Sequence, residues 1–186
     1  MLRARKSKTI GAVLVVCVGT VSALPGGNAH AQGDTLAPNL RTPAPVIHLA
    51  ENLDEKDGLG WCLDTLGRGF STSLQVHSCK PQGGDVQFSF EPETGAIRSV
   101  AFPDHCAVRQ EAGPTNLGLA PCDADDPDQR FAFDADTGAL SAADAPDQCL
   151  SAGEASRSAG PFMSRELLLT DCTATDPALR RWVIRH

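Results

Sequence analysis

Cysteine and histidine are the side chains of this sequence best suited to covalent or metal chemistry, and their spacing narrows what that chemistry can be. Cys62, Cys79, Cys106, Cys122, Cys149 and Cys172 are never closer than 16 positions to one another. Zinc sites are usually built from close pairs such as Cys-x-x-Cys, so no metal is expected. The histidines at 48, 77, 105 and 186 sit in no His-Glu-x-x-His pattern, and no Gly-x-Ser-x-Gly elbow is present. Asp123, Asp125, Asp126 and Asp128 offer closely spaced oxygens of the kind calcium takes, but Pro127 interrupts them and no glycine or distant glutamate completes a loop. Glu91 and Glu93 form a carboxylate pair that belongs to a turn. The chain therefore reads as non-catalytic, with no cofactor, and disulfide formation is the chemistry that remains.

Disulfides need an oxidising compartment, and the N-terminus supplies an address. Arg3, Arg5, Lys6 and Lys8 precede an apolar run over 10–24, and Ala29-His30-Ala31 offers a small-residue cleavage site. Residues 1–31 are read as a signal peptide, leaving Gln32 as the new N-terminus. The apolar run falls short of the roughly 20 residues of a membrane span, and glycine, threonine and serine dilute it. Val16 before Cys17 argues against lipidation. No second apolar stretch of spanning length follows, so a secreted, extracellular protein without a membrane span is expected. A net charge of -7 is the wrong sign for phosphate backbones, which excludes nucleic acid as a partner.

What positions the cysteines is an internal repeat. The segment 88–97, Phe-Ser-Phe-Glu-Pro-Glu-Thr-Gly-Ala-Ile, lines up without a gap on 131–140, Phe-Ala-Phe-Asp-Ala-Asp-Thr-Gly-Ala-Leu, 43 residues later. The cysteines keep step: Cys79 to Phe88 and Cys122 to Phe131 both span nine positions, and Gly95 to Cys106 and Gly138 to Cys149 both span eleven. A looser third copy follows Cys149 and ends on Arg181-Trp182-Val183-Ile184, with an insertion near 156–161. Each copy holds two cysteines, 17, 16 and 23 positions apart. Symmetry then favours pairing within a copy: Cys62 with Cys79, Cys106 with Cys122, Cys149 with Cys172.

Within a copy, short alternating runs separated by turn residues read as strands, at 62–65, 74–78, 87–91 and 96–100 in the first. Thr94-Gly95 supplies the positive backbone angle a hairpin requires. No stretch sustains a helical period, so the fold class is all-β with four strands per copy. The third copy runs out of chain after Trp182-Val183-Ile184, and Val46-Ile47-His48-Leu49 resembles the missing fourth strand. The expected organisation is a flexible leader over 32–45 and one domain over 46–186, with repeats near 60–103, 104–146 and 147–186 closed by 46–51.

A Cys-Leu-Asp opening, a second cysteine about 17 positions on, and an aromatic-ended triplet nine further resemble the ricin B-chain type β-trefoil lectins, whose repeats carry Gln-x-Trp. Gln129-Arg130-Phe131 keeps the glutamine, Val86-Gln87-Phe88 loses it, and Arg180-Arg181-Trp182 keeps only the tryptophan. The resemblance runs from about 46 to 186. It implies a β-trefoil with pseudo-threefold symmetry in which Phe88, Phe131 and Trp182 meet in the core, each contributing about 1.5–3 kcal/mol by burial.

The resemblance also implies where sugar would bind: an aspartate two after the first cysteine, a glutamine four and an aromatic two before the second, and an acceptor three before the triplet's aromatic. A carboxylate and an amide fix adjacent hydroxyls while a ring covers the apolar face of a pyranose. In the first copy these positions are Asp64, Gln75, His77 and Asp85. The second copy offers Val108, Gly118 and Ala120, keeping only Asp128 and Gln129. The third offers Ser151, Leu168 and Thr170, with Leu179 as the would-be acceptor. One carbohydrate site, in the first repeat, is expected, binding a galactoside or polysaccharide weakly. The alternative is a protein partner: a degenerate lectin scaffold serving as an interaction or delivery subunit for a toxin or hydrolase, or as an inhibitor, with the loop 153–165 as its contact.

Overall fold

The alternating runs of the sequence become short antiparallel strands because one face of each is apolar and must be covered, while the glycine turns let neighbours fold back on each other. A computed structural model describes residues 36–66, 69–110 and 117–186. The expected signal peptide, 1–31, lies outside the described residues. β1 (Val46–Leu49) opens the described strands. The first repeat contributes β2 (Trp61–Thr65), β3 (Leu74–Ser78), β4 (Phe88–Glu91) and β5 (Ala96–Ser99). The second contributes β6 (His105–Arg109), β7 (Leu117–Pro121), β8 (Phe131–Asp134) and β9 (Ala139–Ala142). The third contributes β10 (Ala145–Ala152), β13 (Leu167–Asp171) and β14 (Trp182–Arg185), with an additional hairpin of β11 (Arg157–Ala159) and β12 (Phe162–Arg165) inside it.

Three sheets result, each joining the end of one repeat to the start of the next. Their orders are β4-β5-β6-β7, β13-β10-β9-β8 and β11-β12-β3-β2-β1-β14. The equivalences hold residue by residue: Arg98 pairs with Cys106, Ser141 with Cys149 and His48 with Cys62. β1 pairs with β14 along its length, Ile47 opposite Ile184 and Leu49 opposite Trp182. The fold is thus an all-β trefoil whose N-terminal strand completes the last repeat, leaving fewer bare sheet edges.

The three disulfides each close one repeat, Cys62–Cys79, Cys106–Cys122 and Cys149–Cys172, with Cα atoms 5.0, 4.9 and 5.1 Å apart. Phe88, Phe131 and Trp182 open β4, β8 and β14 and are 0%, 2% and 1% exposed, in one apolar cluster with Ile47, Leu63, Ile97, Leu140 and Leu150. Two glycines let the repeats approach: the backbone N–H groups of Phe131 and Trp182 donate to the carbonyls of Gly95 and Gly138 at 2.8 and 2.7 Å. Both glycines have positive φ, 76° and 70°, as the Thr-Gly turns require.

The leader departs from expectation over its described part. Residues 36–45 are pinned to the first repeat instead of trailing from it: Asn39 N–H donates to Gly58 O at 2.7 Å, the buried Thr42 hydroxyl donates to Lys80 O at 2.9 Å, and Gln87 Nε2 donates to Pro43 O and Ala44 O. A proline-rich composition suggested a linker, but hydrogen-bond partners beyond the segment override composition.

Candidate functional site

The first repeat brings its four expected residues to one place by simple register. Asp64 on β2 stands opposite Gln75 on β3, and His77 lies two residues further along β3 on the same face. Asp85 arrives from the loop that precedes β4. The four differ in how far they reach the surface. Asp64 is 0% exposed, with its Oδ2 receiving a hydrogen bond from Lys80 Nζ at 3.0 Å and a longer one from Gln75 Nε2 at 3.4 Å. Lys80 Nζ also donates to Asp85 Oδ1 at 2.8 Å, so one ammonium bridges both carboxylates. Asp64 Oδ1 is buried without a partner.

This arrangement sets the charges. Burial away from water pushes the Asp64 carboxyl up to about 7; Lys80 opposes the rise and Asp85 adds to it. His77 moves the other way: burial lowers its pKa, with the Ser78 carbonyl opposing and Lys80 reinforcing the drop. The neutral ring places Nδ1 3.0 Å from Ser78 O, a hydrogen bond that puts the proton on Nδ1 and leaves Nε2 as an acceptor. Its 3.7 Å separation from Asp64 Oδ2 is then not an ion pair.

The insertion in the third repeat is not a free loop. It folds as the β11–β12 hairpin and adds to the edge of β3, Ser164 opposite His77 and Arg165 opposite Val76. The Ser78 hydroxyl receives the Met163 N–H at 2.9 Å and donates to the buried Glu55 carboxylate at 2.7 Å. Arg165, 4% exposed, donates to Gly153 O and Glu154 O at 2.6 and 2.7 Å, contacts the Asp54 carboxylate, and stacks over Trp61 with 4.8 Å to the ring centre. Phe162 meets His77 edge-on, ring centres 5.6 Å apart. The expected contact loop 153–165 thus docks through Met163, Ser164 and Arg165, while Glu154, Ala155, Arg157, Ser158, Gly160 and Pro161 stay exposed.

Between the hairpin and the first repeat lies a cleft of about 650 Å³, whose lining includes Gln75, His77, Lys80, Asp85, Arg157 and Phe162. Asp64 is not among its lining residues; it lies beneath, behind Lys80. Sequence reasoning missed Lys80, because the family pattern gives no role to the residue after the second cysteine. It also missed Arg157 and Phe162. The signal was there in the third repeat's longer cysteine spacing and in Gly160, flanked by alternating residues and here at a φ of 67°, a hairpin signature.

The other two repeats use their equivalent positions internally. In the second, Arg109 pairs with Asp128 at 2.6 Å and Asp144 at 2.8 Å, while Gln129 bonds to both sides of the second cysteine, donating to Pro121 O at 2.9 Å and accepting from Asp123 N–H at 3.0 Å. The neighbouring aspartates act as turn caps: Asp123 receives Asp125 N–H, and Asp126 receives Asp128 N–H. Among the described residues no group of three His, Cys, Asp or Glu is placed to hold a metal. In the third repeat, Ser151, Thr170 and Thr175 hydrogen-bond to one another at 2.9 and 2.8 Å. In the first repeat Val86 replaces the family glutamine and packs with Val46 and the Cys62–Cys79 bridge.

Comparison with known proteins agrees with this architecture. The structure resembles a non-toxic homologue of type II RIPs from Momordica charantia in complex with α-methyl-D-galactoside, at 14% identity and a TM-score of 0.54, covering 76% of this chain and 47% of that one. This chain thus spans about half the length of the Momordica protein. It also resembles the C-half of an earthworm R-type lectin in complex with GalNAc, at 13% identity and a TM-score of 0.53, covering 76% of this chain and 98% of that one. The β-trefoil lectin of the Vibrio vulnificus hemolysin/cytolysin, with N-acetyl-D-lactosamine bound, is 16% identical with a TM-score of 0.51 over 75% and 90%. At such identities the likeness is one of fold. No curated protein matches the sequence itself. Among the described residues no helix is long and apolar enough to cross a membrane. The family described as the ricin-type beta-trefoil lectin domain matches residues 52–182, no catalytic domain is found beside it, and the chain belongs to that family.

Proposed function

We propose that this protein is a secreted, non-catalytic carbohydrate-binding module with one working site, the cleft over the first repeat. The observation that carries the reading is the cleft's lining: the side-chain carbonyl of Gln75, whose N–H groups are held by Asp64 and Thr65 O, the free acceptor of neutral His77 and the outer oxygen of Asp85 share the cleft with the His77–Phe162 ring pair. Hydroxyl groups need directional donors and acceptors, and the apolar face of a pyranose needs a ring to cover it. Asp64 takes a supporting role, holding Lys80 rather than touching the sugar. That the Momordica, earthworm and Vibrio proteins carry galactose-type sugars favours a galactoside among the ligands. Affinity is expected to be weak, because each sugar hydroxyl exchanges a water for a contact of similar strength. Saturation-transfer NMR against galactosides, xylans and cell-wall polymers tests the proposal. Transfer that is lost in Asp85→Ala and Gln75→Ala supports it, and silence from every sugar rejects it.

A further inference from the structure

Three charged side chains line the cleft, Lys80, Asp85 and Arg157, so its wall carries two cations and one carboxylate on a chain whose net charge is -7. With Asp64 beneath the wall, the two carboxylates that Lys80 bridges take up its charge, and Arg157 is the cation left over. Lys80 uses two of its three N–H donors on Asp64 and Asp85. The exposed Arg157, at the start of the added hairpin, has no ion pair or side-chain hydrogen bond among the described residues. Arg165, on the same hairpin, is by contrast buried in the contacts that fix the hairpin to the first repeat. The hairpin is fixed to β3 through Met163, Ser164 and Arg165, which leaves Arg157 as its one cation without a partner among the described residues, and guanidinium matches a carboxylate in shape and charge.

From this we infer that the cleft selects acidic saccharides, sugars carrying a carboxylate such as uronic acids, with Arg157 as the specificity-determining residue. The inference rests on the carbohydrate reading above and deepens it. The sugar ring would lie on the His77–Phe162 wall with hydroxyls toward Gln75 and Asp85, and the carboxylate would reach Arg157. Asp85 forbids a simple anion trap: it repels negative charge at one end of the cleft, so a ligand must present hydroxyls there and its charge at the other end.

The test uses the full mature chain and two matched pairs of ligands: trigalacturonate against its methyl ester, and a glucuronic-acid-substituted xylo-oligosaccharide against the unsubstituted one. Isothermal titration at low salt is expected to show the acidic member of a pair binding about 10-fold more tightly, roughly one charge-assisted contact in a partly shielded site. The preference should shrink as salt is raised. Arg157→Ala, an exposed substitution that removes no side-chain contact among the described residues, should bring the ratio below about threefold by weakening the acidic member more than the neutral one, and Arg157→Glu should reverse the preference. Equal binding of neutral and acidic members overturns this inference and leaves the carbohydrate reading standing. Failure of all four ligands to bind overturns both. Tetraglutamate binding as tightly as trigalacturonate also overturns the inference, because charge alone would then suffice.

Discussion

Asp64 and Lys80 form an ion pair whose carboxylate is fully buried. Asp64 has an ordinary pKa of 3.8 raised to about 7 by burial, so between about 4 and 7 the folded protein keeps a proton that the unfolded chain has released. A raised carboxyl therefore withdraws stability as pH climbs through that window, the reverse of a surface-paired aspartate. The Asp64→Asn variant lacks this titration, and its melting temperature relative to the parent should rise steadily from pH 4 to pH 7. A parallel pair of melting curves would sink the argument. Lys80→Met leaves a buried carboxylate with neither cation nor water, a loss of about 3–5 kcal/mol for a broken buried pair. Asp64 escapes part of that loss by taking up a proton, so urea denaturation should show the variant destabilised far more at pH 8 than at pH 5. The sequence disclosed Asp64, Gln75, His77 and Asp85 as neighbours because register and family pattern depend on local spacing. It did not disclose that Asp64 lies beneath the surface, since depth depends on Lys80 and on a hairpin arriving from about 80 residues away.

At the level of strands and turns, most was legible: the 43-residue shift between the first two copies and the looser third copy gave the disulfide pairing and the closure of β14 by β1, and the family resemblance gave the core aromatics. What escaped were the features that break the symmetry. The hairpin β11–β12 has no counterpart in the other repeats to be aligned with, and the pinning of 36–45 depends on partners such as Gly58 and Lys80 that composition cannot reveal. The symmetric part itself depends on glycine. A Cβ at Gly95 would stand 2.5 Å from the carbonyl oxygen of Phe131, at a φ of 76°, so alanine there meets both a left-handed backbone and a neighbouring repeat that cannot move away. Gly84, at a φ of 85° with nothing within 4 Å of the added carbon, isolates the backbone cost. Denaturation in urea should show Gly95→Ala costing more than Gly84→Ala, with the latter inside the about 1–3 kcal/mol typical of a strained backbone residue. Equal losses would mean that the contact between repeats is soft.

For the molecule as a whole, threefold architecture is reconciled with the one-site proposal by what each repeat does with its equivalent polar positions. The second repeat turns its surviving acceptor, Asp128, toward Arg109, and the third links Ser151, Thr170 and Thr175 among themselves. Both arrangements satisfy polar groups that would otherwise be free for a ligand, and both help tie their own strands together. The single weak site proposed above could not gain strength from neighbours in its own chain, and retention on a surface would then come from several copies bound to one polymer. Titration with a monovalent saccharide should therefore give one ligand per chain, with the NMR perturbations confined to β2, β3 and the β11–β12 hairpin. Replacing Val108 or Ser151 should leave the titration unchanged, and linking three chains should raise the apparent affinity for a polysaccharide by about 10²-fold or more while leaving that for the monomeric sugar as it was. A second equivalent of sugar, or perturbations centred on Arg109 or Thr170, would show that the other repeats still bind and that their internal hydrogen bonds open for a ligand.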